Sequence, residues 1–388
     1  MLSVLSRARK SMGFFCAALA ALAVSACVPA SGPTLGAGSG HVQIALLTPA
    51  GSGQASDELL ARSLENAARM AITDLGGTQI DLRVYATQGQ PAQAAAMASK
   101  AVAEGAQIIL GPVFAQEANA AGVAVAASGV NVLAFSNNSD IAGNNVFVLG
   151  PTFDNTAARL AAYAVRQGKS NIMIVHDKNT AGELGRAAIQ RGVAFAGGTV
   201  VATGSYEFSQ NGVVSAAPII AANARSAGAQ AIFMTADTAG ALPLISQLLA
   251  DNGMGPSVTQ FVGLTRWDIP AATLALPGVQ GGWFAMPDPA LYAQYQARYH
   301  ATFNEAPHPI SGLAYDGVAA IGALLGGAGA GPISKASLTQ GAGFVGVNGI
   351  FRLRADGTNE RGLSIAQIQN GKAVVIEAAP RSFDGAGF

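Results

Sequence analysis

Two short polar segments directly follow apolar runs, and they hold the side chains best suited to contact a ligand. Asn137, Asn138 and Ser139 come after the run 131–135, and His176 and Asp177 come after a run that ends at residue 175. Amides and hydroxyls can hydrogen-bond a small ligand, whereas a neighbouring imidazole and carboxylate can transfer protons. Asn, Ser and Asp also favour helix caps and turns. Cap and ligand roles both stay open for 137–139, while we favour Asp177 as the cap of the following helix and His176 as a hinge residue.

Apart from the neighbouring His176 and Asp177, the sequence has only weak signatures of enzymes and metal sites. The spacing Gly341-x-Gly343-x-x-Gly346 matches a dinucleotide-binding pattern, but it precedes predicted strands instead of a helix, so we interpret it as a loop. The P-loop, HExxH and GxSxG motifs are absent from the sequence. Of the four histidines, His300 and His308 flank a proline-rich turn without Cys or a carboxylate at ligand spacing. We therefore expect no catalytic residue, no metal site and no cofactor, in a protein that is not an enzyme.

The length and charge of the chain bound its partners and its domain count. It has 388 residues, with 22 Lys plus Arg and 22 Asp plus Glu, so the formal net charge is zero. A nucleic-acid partner needs a basic surface, and we expect none. The length exceeds that of one typical core and predicts two domains.

The first 40 residues have the pattern of a targeting segment and a tether. A positive region around Arg7 precedes the apolar stretch Gly13–Ala23, and Val24-Ser25-Ala26-Cys27 follows. These four residues resemble the bacterial lipobox, which predicts a signal peptide at 1–26 and lipidation of Cys27; a plain signal peptide is the alternative. Residues 27–40 are rich in Gly, Pro and Ser and predict a tether. By the sorting rule known for enterobacteria, the absence of Asp at position 28 predicts a periplasmic lipoprotein anchored to the outer membrane.

Beyond residue 40, apolar runs alternate with segments of helical composition at about the 30-residue spacing of βαβ units. Runs such as 172–175 are continuously apolar, as expected of strands that are covered on both faces. The predicted strands form two sets of four: 42–47, 80–85, 107–110 and 131–135, then 171–175, 199–203, 230–234 and 260–264. This pattern predicts an α/β fold with two Rossmann-like lobes.

The rest of the chain must be shared between the two lobes, which implies several chain crossings and a hinge of the kind that closes on ligands. The predicted N-terminal lobe comprises 41–150 and about 286–350, the C-terminal lobe comprises 151–285 and about 351–378, and 379–388 form a tail.

Ligands bind at the carboxyl ends of parallel strands. Val113 and Phe114, which follow the Gly111-Pro112 break, are therefore candidate cleft residues together with the segment 137–139. Arg266 follows another predicted strand and could also reach the cleft. We interpret Trp267 and Trp283 as packed walls rather than ligand platforms.

Several segments, in order, resemble the leucine/isoleucine/valine-binding proteins, which are type I periplasmic binding proteins of ABC importers. The resemblance covers about residues 41–378 and implies that family's fold, with hinge crossings between two lobes. The segments that carry it are 175–184 (Val-His-Asp-Lys-Asn-Thr-Ala-Gly-Glu-Leu), 204–209, 314–318 (Ala-Tyr-Asp-Gly-Val), 346–351 and 355–357.

The resemblance also implies a ligand site, residue by residue. Asn137–Ser139 match the loop whose backbone holds an amino-acid carboxylate, whereas Ala115 stands where the family has a serine. Ala181 matches the aromatic residue that covers the substrate. Asp237 matches the acidic partner of the amino group, and Tyr206 is a second wall of the cleft.

Loss of the aromatic cover weakens an amino-acid site by about 1.5–3 kcal/mol. In its lipobox without Asp at position 28, its missing aromatic cover and its alanine-rich frame, the chain also resembles outer-membrane lipoproteins of this fold that activate penicillin-binding proteins, the peptidoglycan synthases. Our main hypothesis is such an activator, with a penicillin-binding protein as partner. The alternative is the substrate-binding lipoprotein of a branched-chain-amino-acid-type ABC importer, which binds an amino acid or small amide in the cleft and has the permease as partner.

Overall fold

A computed structural model describes residues 41–76, 80–326 and 333–383. The described residues form fifteen strands and ten α-helices. The strands are Val42–Thr48 (β1), Ile80–Ala86 (β2), Ile108–Leu110 (β3), Asn131–Ala134 (β4), Val146–Val148 (β5), Asn171–Asp177 (β6), Thr199–Tyr206 (β7), Ala231–Met234 (β8), Gln260–Gly263 (β9), Trp283–Met286 (β10), Phe344–Gly346 (β11), Gly349–Leu353 (β12), Asn359–Arg361 (β13), Ser364–Gln369 (β14) and Lys372–Glu377 (β15). The helices are Ala55–Asp74 (α1), Pro91–Ala103 (α2), Ala115–Val125 (α3), Phe153–Arg166 (α4), Thr180–Phe195 (α5), Gln210–Ser226 (α6), Leu242–Asp251 (α7), Pro289–Phe303 (α8), Gly312–Gly326 (α9) and Lys335–Leu338 (α10). None of these helices is long and apolar enough to cross a membrane.

The first sheet is parallel throughout, with the strand order β2-β1-β3-β4-β5. Its central strands β3 and β4 are buried along their whole length, which explains their continuously apolar sequences. Helices α1 and α9 cover one face of the sheet, and α2 and α3 cover the other. The four strands predicted here are confirmed. The sheet has a fifth strand beyond the predicted four, because Val146–Val148 pair with β4.

The second sheet has seven strands in the order β15-β14-β10-β9-β8-β6-β7. Strands β6 to β10 are parallel, and at one edge β14 pairs antiparallel with β10 and β15 pairs antiparallel with β14. Helices α4 and α5 cover one face, and α6 and α7 cover the other. The β14–β15 connection contains Asn370 and Gly371 with φ of 51° and 73°. Positive φ at both positions is what a two-residue type I′ turn requires, and it closes the β14–β15 hairpin.

The chain passes between the two lobes three times in its described part. It leaves the first lobe between β5 and α4, returns between β10 and α8, and leaves again between β13 and β14. Helices α8 and α9 contribute Tyr295, Tyr299 and Leu313 to the core of the first lobe. Phe351 and Leu353 of β12 pack in that same core, so the last passage falls later than residue 351, where we predicted it. The difference arises because β11, β12 and β13 form a small antiparallel sheet of their own.

The break after β3 is produced by a close backbone approach. Gly111 has φ of 81°, and a Cβ at this position would overlap the carbonyl oxygen of Leu47 on β1. Only glycine fits such a contact at positive φ. The chain therefore turns at the carboxyl end of β3 and brings Phe114 to the start of α3.

Candidate functional site

A cavity of about 320 Å³ lies between the two lobes, at the carboxyl ends of strands from both sheets. Its walls come from the loop after β4, the loop after β9, the β5–α4 and β10–α8 crossings, and the start of α9. Most of the lining is apolar. The polar lining residues are Asn137, Thr156, Thr265, Arg266, Asn348 and Arg361.

In the segment after β4, neighbouring residues have different roles. The Asn138 backbone N–H donates to Ser136 Oγ at 3.1 Å, and Asn138 Oδ1 accepts from the Asp140 backbone N–H at 2.9 Å. Asn138 is therefore the cap of a short 3-10 turn that begins at Ser139. Asn137 is exposed and lines the cavity. Of the two open interpretations, the cap is thus confirmed for Asn138, and a ligand role for Asn137 stays a prediction.

Arg266 is held in place at the wall of the cavity. Its Nε donates to Asp268 Oδ1 at 2.6 Å and its Nη2 donates to Asp268 Oδ2 at 2.5 Å, a bidentate pair. The next residue, Trp267, is fully buried. A Cβ at Gly263 or Gly282 would overlap the Trp267 ring, so both glycines make room for it. This confirms that Trp267 is a packed wall, and it anchors the turn that carries Arg266.

A buried ion pair fixes the other wall. Asp316 on α9 accepts from the Val347 backbone N–H at 2.8 Å, from Asn348 Nδ2 at 3.0 Å and from Arg361 Nη1 at 3.2 Å. Arg361 Nε also donates to the Leu149 carbonyl oxygen at 2.8 Å, just before the first crossing. The side chains of Asp316 and Arg361 are 0% and 2% exposed. This network joins α9, the β11–β12 turn, β13 and the end of the first sheet.

Asp177 and Tyr206 form a second polar group, on the C-terminal lobe. They are neighbours on the parallel strands β6 and β7, and both are buried. Burial raises the pKa of the Asp177 carboxyl group and the nearby carboxylate of Asp237 adds to the rise, whereas the neighbouring Tyr206 hydroxyl lowers it. Asp237 itself is exposed, in the turn after β8. These three residues lie near one another but do not line the cavity.

The structure corrects two local predictions. Asn179, not Asp177, caps α5, because Asn179 Oδ1 accepts from the Gly182 backbone N–H at 2.7 Å. His176 does not lie at a crossing; it is buried on β6 with Nδ1 3.6 Å from Glu183 Oε1. Both errors share a cause, since β6 extends two residues further than the apolar run and carries His176 and Asp177 within the sheet.

The remaining predicted residues are dispersed. Val113 is buried in the core of the first lobe, and Phe114 is 39% exposed at the start of α3. Ala181 is exposed in the first turn of α5, beside an open surface groove. Of the predicted candidates, the cavity brings together only Asn137 and Arg266. Cys27 lies outside the described residues.

Sequence reasoning missed the cavity residues that come from the crossings and from the start of α9. Met286 and Ile310 are apolar residues in segments without periodicity, and Asn348 and Arg361 belong to a tail whose partners are remote in sequence. A local pattern does not distinguish them from other loop residues. Among the described residues, no three His, Cys, Asp or Glu side chains are arranged to hold a metal ion.

The described part of the chain passes three times between two α/β lobes, and a cavity lies between the lobes. These features define a two-lobed binding protein of type I periplasmic architecture. A family profile described as periplasmic binding protein matches residues 41–373. The chain therefore belongs to the periplasmic binding protein family, as the resemblance implied, and membership implies a periplasmic location. The matched proteins are described as binding proteins and not as enzymes, in keeping with the role that we expect.

Solved structures agree on the fold. A branched-chain amino acid ABC transporter periplasmic ligand-binding protein from Burkholderia xenovorans LB400 is 18% identical, with a TM-score of 0.68 over 88% of this chain and 96% of that chain. An ABC transporter substrate-binding protein from Desulfitobacterium hafniense, in complex with Leu, is 17% identical, with a TM-score of 0.64 over 87% and 100%. A solute-binding ABC transporter protein from R. palustris, in complex with benzoate, is 18% identical, with a TM-score of 0.58 over 90% and 99%. The comparison with curated proteins found no match.

Proposed function

We propose that this protein is the substrate-binding component of an ABC importer and that it holds a small solute between its lobes. The observation that carries the proposal is the cavity of about 320 Å³, to which both lobes and two of the crossings contribute. A concave, mostly apolar space with a few convergent polar groups is the usual form of a small-molecule site. Similar structures hold Leu or benzoate, so solutes of that size support the proposal.

The position of the cavity suggests how binding is signalled. Pro151 lies in the first crossing, and Met286 and Pro287 lie in the second, and all three line the cavity. A solute that contacts both lobes binds the closed arrangement more tightly than the open one, because only the closed arrangement makes both sets of contacts. Closure around the crossings then presents a liganded surface to the permease.

The relatives favour this interpretation over our main sequence-based hypothesis. They are solute-binding proteins of transporters, which supports the importer alternative. Activation of a penicillin-binding protein, and docking to one, stay predictions without a matching relative among the structures described above.

We also propose that Cys27 carries a lipid that tethers the binding domain to the outer membrane through residues 27–40. The basis is the Val24-Ser25-Ala26-Cys27 segment and the composition of the tether. Lipidation is independent of solute binding and has its own test.

The solute-binding proposal predicts ligand-dependent stabilisation. The detergent-solubilised full chain is screened by thermal shift against amino acids, small amides and carboxylic acids. A solute at 100 times its Kd should raise the free energy of unfolding by about 2.7 kcal/mol. Thr156→Trp, which fills the cavity from α4, should abolish the stabilisation. Gln167→Trp, at the exposed end of the same helix, should retain it. Absence of any stabilising solute, or equal stabilisation of both variants, would refute solute binding in this cavity.

A further inference from the structure

The charges that line the interlobe cavity are all positive. Arg266 and Arg361 are the charged residues of the lining, and no Asp or Glu belongs to its described part. An ammonium group that enters such a space leaves water without gaining a carboxylate, and an unpaired buried charge is strongly disfavoured. Asp177 and Asp237, the acidic residues that the sequence suggested as ligand contacts, belong to the separate polar group with Tyr206 and do not line the cavity.

The two arginines differ in whether a guanidinium nitrogen is available to a ligand. Arg361 donates from Nε and Nη2 to the Leu149 carbonyl oxygen and from Nη1 to the buried Asp316 carboxylate, so all three nitrogens are used, and its side chain is 2% exposed. Arg266 uses Nε and Nη2 for Asp268, and within the described residues its Nη1 makes no hydrogen bond. The Arg266 side chain is 31% exposed, whereas its partner Asp268 is 14% exposed and does not line the cavity. Arg266 therefore offers a fixed, charged donor to the cavity.

The part of the cavity around Arg266 suits a ligand with a short hydrocarbon portion. Neutral hydrogen-bonding groups come from Asn137 and Thr265, on opposite lobes. A volume of about 320 Å³ equals the volume of about ten liquid waters, enough for a small organic acid. Much of the remaining wall consists of aliphatic and aromatic side chains, namely Phe153, Leu264, Ile269, Met286, Ile310 and Leu313.

We infer that the solute is an apolar carboxylate without an ammonium group, whose carboxylate is bound by Arg266 and whose hydrocarbon body fills the apolar wall. The inference rests on the proposed solute-binding function and narrows its substrate class. It differs from the amino acid or small amide that the resemblance suggests, because the donor in the cavity is a cation and the lining has no acid.

Matched compounds separate the charge from the hydrocarbon body. The full chain is titrated by calorimetry with 4-methylpentanoate, 4-methylpentanamide and leucine, and with 3-phenylpropanoate, its amide and phenylalanine. Within each set the carbon skeleton is constant. In at least one set the acid should bind at least tenfold more tightly than both the amide and the amino acid, which corresponds to about 1.4 kcal/mol or more.

Variants of the cavity wall assign the effect to Arg266. Arg266→Gln should weaken binding of the acid at least tenfold and change binding of the amide less than twofold. Asn137→Asp, a nearly isosteric change that adds a negative charge, should also weaken binding of the acid selectively. This variant replaces Arg266→Gln in the test if Arg266→Gln fails to fold. Arg69→Gln, which removes an exposed arginine paired with Glu65 on α1, is the control and should change binding of neither the acid nor the amide.

The outcomes distinguish this inference from the proposed function. Tightest binding of an amino acid or an amide, or failure of both acids to bind while the broader screen finds another solute, would overturn the carboxylate inference and leave solute binding intact. Equal weakening of acid and amide by Arg266→Gln would overturn it as well. If neither these compounds nor the broader screen yields a ligand, the proposed function fails, and the inference fails with it.

Discussion

Glu117 is a carboxylate in the first turn of α3 that is only 1% exposed. Burial raises the pKa of its carboxyl group, and the charge of Asp57 adds to the rise, whereas the nearby Thr87 side chain and Phe114 backbone lower it. The folded protein therefore binds this proton more tightly than the unfolded chain. Stability must depend on pH in the range between the two pKa values.

The sign follows from which state holds the proton. Between the ordinary pKa of 4.5 and the raised pKa of the folded state, a rise in pH deprotonates the unfolded chain first. Each pH unit in that window should lower the free energy of unfolding by up to about 1.4 kcal/mol. Glu117→Gln should remove the contribution of this residue, so that the slope becomes smaller than in wild type and the variant is more stable than wild type above the window; buried Asp177, whose pKa is also raised, keeps its own contribution. Urea denaturation from pH 4.5 to 8 measures both effects.

The matched control is Gln116→Ala, which alters the exposed neighbouring residue and leaves the titration in place. A wild-type slope that survives in Glu117→Gln would mean that another group titrates. Lower stability of Glu117→Gln at neutral pH would mean that Glu117 stabilises the fold as an anion, contrary to our expectation.

Single residues also show the limit of capping rules. The sequence offers Asp177 and Asn179 as caps for the same helix, and both types are favoured at that position. Asn179 is the cap because β6 continues through Asp177, which lies opposite Tyr206 of β7. The strand end depends on pairing with a neighbouring strand, and that information is not local.

The Asp316–Arg361 pair links elements that are far apart along the chain: α9, β13, the β11–β12 turn and the end of β5. Removal of one partner from a buried pair leaves the other charge without compensation, which costs about 3–5 kcal/mol. We therefore expect Arg361→Met to lower the free energy of unfolding by about that amount in chemical denaturation.

An exposed pair of the same residue types is the control. Arg191 pairs with Asp154 at 2.7 Å, with side chains 62% and 40% exposed, and Arg191→Met should cost less than about 1 kcal/mol. Asp316→Asn combined with Arg361→Met should be less destabilising than the sum of the two single changes, because the combination leaves no unpaired charge. Additive effects, or a small loss in Arg361→Met alone, would contradict a coupled buried pair.

Whole elements were predictable where their periodicity was strong. The central strands are continuously apolar because helices cover both faces of each sheet, and Pro91 begins α2 as expected of a proline at a helix start. Strand β5 and the sheet of β11 to β13 were harder to predict from the sequence. Their strands are three to five residues long, and their existence depends on neighbours supplied by distant parts of the chain.

The attachment of the whole protein to the membrane is tested apart from its fold. Cys27→Ser should move the protein from the membrane fraction to the soluble periplasmic extract, because a serine cannot carry the thioether-linked lipid. Cys16→Ser, within the apolar stretch of the predicted signal peptide, is the control and should remain in the membrane fraction. Density-gradient separation of the membranes then tests the outer-membrane assignment. Unchanged retention of Cys27→Ser in membranes would refute lipidation.

The amino-acid pattern was sufficient for the two-lobed α/β architecture, and the resemblance of a few segments was sufficient for the family. Alternating apolar runs, helix stops and turn residues are local, and two sets of βαβ units leave few ways to arrange the lobes. The pattern also marked Asn137 and Arg266, since both directly follow apolar runs, and strand carboxyl ends form the ligand crevice.

The cavity itself arises only from the folded chain. Its wall combines α4, α9, two crossings and a tail strand, and residues as far apart in the sequence as Asn137 and Arg361 meet in it. Whether a charge is available to a ligand depends on its partners in space: Asp316 accepts from Arg361, whereas Asp268 accepts from Nε and Nη2 of Arg266 and leaves Nη1 without a hydrogen bond among the described residues. Two arginines that look alike in the sequence thus have different roles, because burial and pairing are properties of the assembled lobes.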